Sequence, residues 1–518
     1  MADMLNPFVV NFRGGLVLNK SQFEMEPGEA MELRNFEPDI GGGYRRISGF
    51  TKFNTNEVTS GSTTGAILMS AVYKDQVIAA RGTEVFKVPT SNGSVTQIDS
   101  GRTSAGRYDF DTYNMDGTDK IIWADGANNA SSYNNSSVTD ISGTGAPANP
   151  KFVKIFRNHA FYAGMSAAPQ KVIFSAPYAE GEFSAAKGAG SISVTGNITG
   201  LKVFREQLYI FCDNAIFRLV GNSISDFQMQ PVTTNVGCIA PQSIQEVGGD
   251  IIFLAADGLR TIAGTEKIGD VELGVISRPI QRRFTELDYN TVAEKISSVV
   301  IKAKTQYRIF FANQGAETDC TGIIAVFRGD RWEYSDMKGI KPNCADSGYI
   351  GDVENTVHGG YDGYIYKQES GNTFTNSSDD TISLEARFKS AHLTMGDPGI
   401  RKRFHRVILN YRPEGALTTN LGLEYDFGSQ DVLNPNSIPF TEIADLALYG
   451  SATYGTSQYG GAEFILIRQP ITGSGFAVAV QFTEKQNETS APYSLRGFSL
   501  EFASAGRSLA MAGNSARQ

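Results

Sequence analysis

Short apolar segments separated by polar turns recur along the first 370 residues of the chain. The clearest example is residues 201–220 (LKVFREQLYIFCDNAIFRLV), which predict three strands joined by turns at Arg205-Glu206 and Asp213-Asn214. Its central run, Leu208 to Cys212, is almost entirely apolar, which is typical of a strand buried on both faces. One such meander cannot bury its own faces, so the pattern predicts that it packs between similar units.

Similar units are present throughout this part of the chain. They begin near residues 75, 119, 158, 206, 249, 306 and 355, at steps of 39 to 57 residues. Repeats of roughly 40–50 residues with several short strands are typical of β-propeller blades, and about four to eight blades are usual. We therefore predict an all-β protein with a propeller of about seven blades. A large β-sandwich with irregular hairpins is the alternative.

Two segments interrupt the repeat. Residues 279–298 place apolar side chains at helical spacing, for example Ile280, Phe284 and Leu287, and predict one small helical insert. This insert accounts for the longest step in the repeat. Residues 128–150 are polar and turn-rich, and they predict a long exposed loop.

The two ends of the chain differ from the repeat. Residues 1–60 either supply a strand that closes the propeller or form an arm that binds a neighbour. From about residue 381, alternating strands follow at wider spacing and predict a C-terminal β-sandwich of jelly-roll type. We predict an N-terminal segment at 1–60, the propeller at 61–368, the sandwich at 369–505 and a flexible tail at 506–518.

Charge and hydropathy restrict the function. The chain has 518 residues and a net charge of −9, which argues against nucleic acid as its main binding partner. An acidic wall repels phosphate, so the charge is compatible with a conduit through which DNA passes without binding. The N-terminus has neither the basic start nor the apolar core of a signal peptide, and no run approaches the ~18 apolar residues of a membrane span.

The sequence offers no recognisable catalytic centre. Its four histidines and four cysteines lack metal-ligand spacing, and it has no G-x-S-x-G motif and no P-loop. We predict no enzymatic activity, no cofactor and no metal. The Asp-Gly pairs at Asp125, Asp257 and Asp362 are interpreted as turns. A sialidase-type propeller would need an arginine triad and acids on the propeller axis, which the sequence alone leaves open.

Two segments of the C-terminal region are candidate partner contacts. The basic run RKRFHR at 401–406 is either a solvated strand entry or a docking patch for an acidic partner or a DNA backbone. In ALYGSATYGTSQYGG, tyrosines recur every five residues, each followed by glycine, which predicts an ordered loop with tyrosine anchors. The candidate contact residues are Arg401, Lys402, Arg403, His405, Arg406, Tyr449, Tyr454 and Tyr459.

The order of these pieces resembles a known family. The chain has an N-terminal segment ending in RRISGFTKF, and then blades that include ITGLKVFREQLYIFCDNAIFRLV and IIFLAADGLRTIAG. A helical insert, ISRPIQRRF, and a β-rich tail domain follow. This order is similar to that of the propeller tail proteins of short-tailed bacteriophages, called hub, nozzle, tail accessory or stabilization proteins. The resemblance covers residues 12–365 in outline and carries no site residues.

The resemblance implies a structural protein of the virion, assembled in the host cytoplasm. Such proteins form a ring, usually of six copies, beside portal or adaptor proteins and fibres or spikes, and DNA passes through the ring at ejection without specific binding. The main alternative is a carbohydrate-binding or carbohydrate-active propeller. A WD-repeat scaffold ranks below both, because WD and GH dipeptides do not occur at the blade ends.

Overall fold

The computed structural model describes residues 5–507, apart from 62, 105, 264–273, 312–319, 330, 416, 430–431, 443–464 and 485–489. The chain packs as two compact units. The propeller unit comprises Phe50–Gly322 and Ile340–Glu369. The sandwich unit comprises Met1–Gly49, Ile323–Gly339 and Ser370–Gln518. The predicted tail lies outside the described residues from residue 508 onward.

The first strands of the chain belong to different units. Four of them lie in the sandwich unit: β1 (Asn6–Asn11), β2 (Ala30–Arg34), β3 (Phe36–Pro38) and β4 (Tyr44–Arg46). The next strand, β5 (Phe50–Lys52), belongs to the propeller unit.

Four successive four-stranded antiparallel sheets follow in the propeller unit. The first sheet contains β6 (Ile67–Tyr73), β7 (Gln76–Arg81), β8 (Glu84–Pro89) and β9 (Thr96–Asp99). The second contains β10 (Asp109–Asn114), β11 (Asp119–Ala124), β12 (Ser131–Tyr133) and β13 (Val138–Asp140). The third contains β14 (Phe152–Phe156), β15 (His159–Ala163), β16 (Lys171–Phe174) and β17 (Gly190–Ser193). The fourth contains β18 (Ile198–Phe204), β19 (Gln207–Cys212), β20 (Ile216–Val220) and β21 (Gln228–Thr233).

Three further β-segments complete the unit. The fifth sheet contains β22 (Gln245–Val247), β23 (Asp250–Ala255) and β24 (Gly258–Thr261). At the sixth position lies the hairpin of β25 (Ser297–Ile301) and β26 (Gln306–Phe310). After β27 (Gly322–Arg328) and β28 (Arg331–Met337) of the sandwich unit, the last sheet contains β29 (Cys344–Ile350), β30 (Val353–Gly359) and β31 (Ile365–Gln368).

Between the fifth sheet and the hairpin lies the helical insert. It consists of the 3₁₀ turn Arg278–Ile280, the helix Gln281–Thr285, the helix Tyr289–Val292 and the 3₁₀ turn Ala293–Lys295. Ile280 and Phe284 are its buried anchors, at the helical spacing seen in the sequence. The predicted insert is confirmed.

The first strands of the seven β-segments form a closed series. Each of β6, β10, β14, β22, β25 and β29 contacts the first strand of a neighbouring segment, and β29 returns to β6. Strand β18 contacts β14 on one side and the 3₁₀ turn Pro241–Ser243, just before β22, on the other. Hydrophobic clusters fill the spaces between adjacent sheets. The predicted β-propeller is confirmed.

The strand β19 shows why an almost continuous apolar run predicted a buried strand. Leu208, Ile210 and Cys212 pack toward the third sheet, whereas Tyr209 and Phe211 pack toward the fifth. Alternate side chains point to opposite faces of a strand, so a strand with neighbours on both faces is apolar throughout. The turn before it needs a left-handed backbone, with φ of 46° at Arg205 and 60° at Glu206. Polar turns of this kind mark where the second strand of each sheet begins.

The propeller closes on its N-terminal strand. β5 pairs antiparallel with β31, with Lys52 opposite Tyr366 and Phe50 opposite Gln368, and so becomes the fourth strand of the last sheet. The ring of Phe50 packs edge-on against His358 at 5.0 Å, and His358 stacks on Tyr366 at 5.3 Å. A sheet edge that would otherwise lack a partner is thereby covered.

Low pH is expected to destabilise the propeller unit, because His358 is buried beside the closing strand. Burial lowers its pKa from 6.5 to about 3, so the unfolded chain binds a proton in this range that the folded chain does not. Stability should therefore fall as the pH drops below about 6.5, by about 2 kcal/mol at pH 5. Urea unfolding of the propeller unit between pH 8 and 5 measures this slope. His358→Gln should reduce the slope, His405→Gln in the other unit should not, and an unchanged slope in His358→Gln would contradict the assignment.

The sandwich unit contains two seven-membered sheets of its own strands. One sheet runs β3-β4-β41-β35-β38, with β1 also paired to β41 and β39 to β35. The other runs β27-β28-β2-β34-β40-β36-β37, and β32 and β33 pair with each other in antiparallel fashion. The remaining strands are β32 (Phe374–Thr375), β33 (Thr381–Ile382), β34 (Arg387–Ser390), β35 (Ile400–Pro413), β36 (Leu417–Tyr425), β37 (Ile438–Glu442), β38 (Ile465–Pro470), β39 (Ser474–Gly475), β40 (Val478–Glu484) and β41 (Tyr493–Arg507).

Aromatic rings from the two sheets meet between them. Phe404 of β35 stacks on Tyr425 of β36 at 5.4 Å, and Tyr44 of β4 lies 5.9 Å from Phe388 of β34. Phe12 packs against Phe388 at 4.5 Å. The unit is thus a β-sandwich whose strands come from three parts of the chain. The domain boundaries drawn from the sequence remain predictions.

The stretch 128–150 is not simply a loop. It contains β12 and β13, the outer strands of the second sheet, so the prediction of a long exposed loop is wrong in that respect. β12 is only three residues long, Ser131-Ser132-Tyr133, yet all three are buried. Arg102 donates to the Ser131 hydroxyl at 2.9 Å, which explains how a serine-rich strand is accommodated in a buried position.

Candidate functional site

A cavity of about 1190 Å³ lies within the propeller unit and is lined largely by the first strands of its sheets. These strands have no pairing partner on the side of the cavity, because each is the edge strand of its own sheet. The wall therefore combines side chains with backbone groups that no further strand of the same sheet pairs. The charged residues of the lining include Asp109, Asp111, Lys154, Lys202, Glu246 and Asp346.

Carboxylates on one strand accept hydrogen bonds from the edge of the next. Asp109 Oδ2 accepts from the backbone N–H of Val153 at 3.0 Å, and Asp111 Oδ2 accepts from that of Ile155 at 2.8 Å. Residues two apart on a strand share a side, so the sequence Asp-Phe-Asp matches two successive N–H groups of β14. These bonds connect the second and third sheets across the cavity wall.

A third carboxylate makes the same connection where the propeller closes. Asp346 Oδ2 on β29 accepts from the N–H of Val72 on β6 at 2.8 Å. Beside it, the amide nitrogen of Asn343 donates to the carbonyl of Ile67 at 2.7 Å. The last and first sheets are therefore joined by polar bonds as well as by the hydrophobic cluster between them.

Two lysines of the cavity differ in their surroundings. Lys154 Nζ lies 2.6 Å from Asp109 Oδ1 and 2.6 Å from the carbonyl oxygen of Phe110. The side-chain amine of Lys202 has no hydrogen bond and no ion pair with any described residue, although the residue is half-buried. Burial, together with the nearby Lys154, lowers the pKa of Lys202, against the opposing effect of Asp111. Its amine therefore remains available in the cavity.

Burial also shifts the pKa values of two carboxylates that line the cavity. It raises the pKa of Asp111 despite the nearby Lys154, and it raises the pKa of Asp346 despite Lys202 and Lys302. Removal from water disfavours the charged form of an acid. Each carboxylate oxygen has two lone pairs, so both residues can accept further hydrogen bonds besides those to the neighbouring strand.

Arg107 also lines the cavity. Its guanidinium donates to the carbonyls of Lys295 and Ile296, at the end of the helical insert. It also lies 3.3 Å from Asn343 Oδ1, and burial lowers its pKa to about 10. Among the described residues that line the cavity, Arg107 is the one arginine. The three arginines that a sialidase-type site would need are therefore not found in this wall.

The aspartates of the Asp-Gly turns have structural partners. Asp125 accepts from the backbone N–H groups of Ala127 and Asn128 and pairs with Arg102 at 3.0 Å. Asp257 pairs with Arg260, and Asp362 accepts from the hydroxyl of Tyr366 at 2.6 Å. These contacts are the turn chemistry that the sequence indicated.

The predicted basic cluster lies on β35 of the sandwich unit, where its side chains alternate between the two faces. Lys402 is buried, with Nζ 2.5 Å from the carbonyl oxygen of Asp397, whereas Arg401 and Arg403 are exposed. Arg406 pairs with Glu501 at 3.3 Å, and His405 is half-buried. The role of these residues as partner contacts remains a prediction. Because side chains alternate along the strand, Arg401 and Arg403 point to solvent whereas Lys402 points inward.

The other candidate contacts cannot be placed. Tyr449, Tyr454 and Tyr459 lie outside the described residues, within the gap at 443–464.

In the part of the chain that the structure describes, no group of three His, Cys, Asp or Glu side chains is arranged to hold a metal ion. No helix in the same part is long and apolar enough to cross a membrane.

Sequence reasoning did not identify the cavity residues Asp109, Asp111, Lys202 and Asp346. A usable signal was present, because charged residues interrupt the first strand of several repeat units, as in Asp-Phe-Asp and Leu-Lys-Val. Such a charge is stable between two sheets only where it finds a partner or reaches the cavity, as Asp109 and Asp111 do at the edge of β14. Second strands such as Leu208 to Cys212 give the stronger signal, because they are apolar at successive positions.

No protein-family model and no curated protein matches the chain. Among solved structures it is similar to the extracellular domains of a one-component system and of a hybrid two-component system from B. thetaiotaomicron. The first is 11% identical with a TM-score of 0.41, over 64% of this chain and 41% of that chain. The second is 11% identical with a TM-score of 0.42, over 69% and 42%. The chain spans less than half the length of either structure, and likeness at this level carries no argument about function.

Proposed function

We propose that the protein is a structural component of a phage tail, a hub or nozzle subunit that assembles with copies of itself into a ring. The order of its pieces supports this proposal, because a closing strand, a propeller, a helical insert and a β-rich domain follow one another as in that family. The ring would contact portal or adaptor proteins and fibres or spikes.

The observation that carries the proposal is the use of acidic residues in the propeller wall. Asp109, Asp111 and Asp346 accept hydrogen bonds from backbone N–H groups of adjacent strands, so they connect neighbouring sheets of the propeller unit. A propeller enzyme would need such acids directed at a substrate, with catalytic partners beside them. A structural role therefore accounts for these residues directly.

DNA would pass between copies and not through a single propeller. A strand of seven residues spans about 23 Å. A cavity of about 1190 Å³ over that length is on the order of 10 Å across, less than the ~12 Å major groove of B-DNA alone. The opening for DNA must then lie on the axis of the ring. The net charge of −9 per chain would limit binding of phosphate there.

Mass photometry and negative-stain electron microscopy of the full chain test the proposal. A closed hexamer would weigh 336 kDa, six times the 56.0 kDa of one chain. Charge reversal of the exposed Arg401 and Arg403 to glutamate is expected to weaken assembly, and Arg205→Glu in the propeller unit serves as the control. A chain that stays monomeric and is absent from purified virions would overturn the proposal.

A further inference from the structure

The cavity of the propeller holds hydrogen-bonding groups that the fold does not use. Lys202 Nζ has three N–H donors and no partner among the described residues. Asp111 and Asp346 each bind a backbone N–H through Oδ2 and can accept more bonds. Donors and acceptors thus line the same cavity. Holding them there without a ligand leaves polar groups partly desolvated, which costs stability.

We propose that this cavity binds a short neutral saccharide. The Lys202 amine would donate to sugar oxygens, and the carboxylates of Asp111 and Asp346 would accept from sugar hydroxyls. The inference does not depend on ring assembly, because all of these residues belong to the propeller unit of one chain.

The mixed charge of the wall favours a neutral ligand. An anion attracted by Lys202 would meet Asp111, Asp346 and Glu246, and a cation attracted by those acids would meet Lys202. Like charges close together in a partly buried site are unfavourable for either ion. Vicinal sugar hydroxyls act as both donor and acceptor, so they can satisfy lysine and carboxylate together.

Size and lining also suit a sugar of two or three rings. The cavity volume of about 1190 Å³ slightly exceeds the ~300–1,000 Å³ of ordinary small-molecule sites. Tyr349, 52% exposed, lines the cavity with Lys302 Nζ 5.8 Å from its ring centroid. An exposed aromatic ring of this kind offers an apolar face on which a sugar ring can pack.

Saturation-transfer NMR followed by calorimetry on the full chain tests the proposal. The probes are a panel of neutral trisaccharides built from glucose, mannose, galactose or N-acetylglucosamine, with trigalacturonate as the anionic comparison. At least one neutral trisaccharide is expected to bind with a dissociation constant in the millimolar range or tighter. Trigalacturonate is expected to bind more weakly, because the carboxylates of the wall oppose it.

Two variants test whether the saccharide binds in the cavity. Lys202→Met removes the amine while keeping most of its length, and Asp111→Asn keeps an oxygen that can accept from Ile155. Each is expected to weaken binding about tenfold or more, with a melting temperature close to that of the wild type. Lys187→Met is the matched control, because Lys187 is exposed and pairs only with Glu182 among the described residues.

Three outcomes would overturn the inference. They are no binding by any neutral probe, tighter binding of trigalacturonate than of every neutral probe, or equal binding by wild type, Lys202→Met and Asp111→Asn. If Asp111→Asn fails to fold, Lys202→Met alone decides, since the Lys202 amine makes no hydrogen bond or ion pair with a described residue. None of these outcomes depends on whether the chain forms a ring.

Discussion

Replacing Glu484 with glutamine is expected to lower the free energy of unfolding of the sandwich unit by about 3–5 kcal/mol. Glu484 and Arg46 form an ion pair with Nε and Oε1 2.9 Å apart, and their side chains are 1% and 0% exposed. Glutamine keeps the shape but not the charge, so the Arg46 guanidinium stays buried without its counter-charge. The Nη2 atom of Arg46 donates to the carbonyl oxygen of Asn372 at 2.9 Å, which holds the guanidinium in place.

The two tryptophans of the chain allow each unit to be followed separately. Trp123 lies in the propeller unit and Trp332 in the sandwich unit, so fluorotryptophan labelling gives one fluorine NMR signal for each. In urea, Glu484→Gln should shift the unfolding midpoint reported by Trp332. Glu501→Gln is the control, because its partner Arg406 is 43% exposed and such pairs contribute about 0–1 kcal/mol. Equal effects of the two variants would contradict the prediction.

Replacing Glu369 with glutamine is expected to cost the propeller unit about 3 kcal/mol at pH 7. Glu369 forms ion pairs with Arg308 and Lys304, and the Arg308 side chain is 1% exposed. Burial alone would raise the pKa of Glu369, but Arg308 and Lys304 lower it from 4.5 to about 2. The variant leaves the buried Arg308 without its carboxylate.

The lowered pKa sets the direction of the pH dependence. The folded pKa lies below the unfolded value, so the contribution of Glu369 is complete above about pH 4.5 and is lost as the pH falls toward 2. The stability difference between wild type and Glu369→Gln, reported by Trp123, should shrink over that range. Glu206→Gln is the control, because Glu206 is 80% exposed in its pair with Arg157. A difference that stays constant with pH would contradict the assignment.

The second strands of the sheets were the most predictable part of the fold. Their starts at 76, 119, 159, 207, 250, 306 and 353 lie within two residues of the repeat starts read from the sequence. Strands packed between two sheets are apolar at successive positions, and the polar turns before them are local features. Both signals lie within a few residues, so a single sequence contains them.

Long-range pairing was not predictable in the same way. β2 pairs with β34 and, at Arg34 opposite Asp336, with β28, which brings together three distant parts of the chain. Nothing in the alternation of a single strand specifies which distant strand it will join. The short β12 was missed because three residues rich in serine resemble a turn, and their burial depends on partners elsewhere in the chain such as Arg102.

The cavity residues could not be predicted from the sequence for a similar reason. Lys202 stands in an otherwise apolar strand, where a lysine usually extends its charge into solvent. Its place in the cavity depends on the closure of the propeller, which is a property of all seven segments together. Asp109 and Asp111 likewise gain a role only when β14 lies beside β10.

The pairing of Phe50–Lys52 with the last sheet has a consequence for synthesis. Lys52 meets Tyr366, 314 positions later in the chain. At roughly 5–20 residues per second, a ribosome needs on the order of 15–60 s to supply that partner. The nascent chain must keep its earliest propeller strand unaggregated for that interval, and any product released before Gln368 would lack a complete ring.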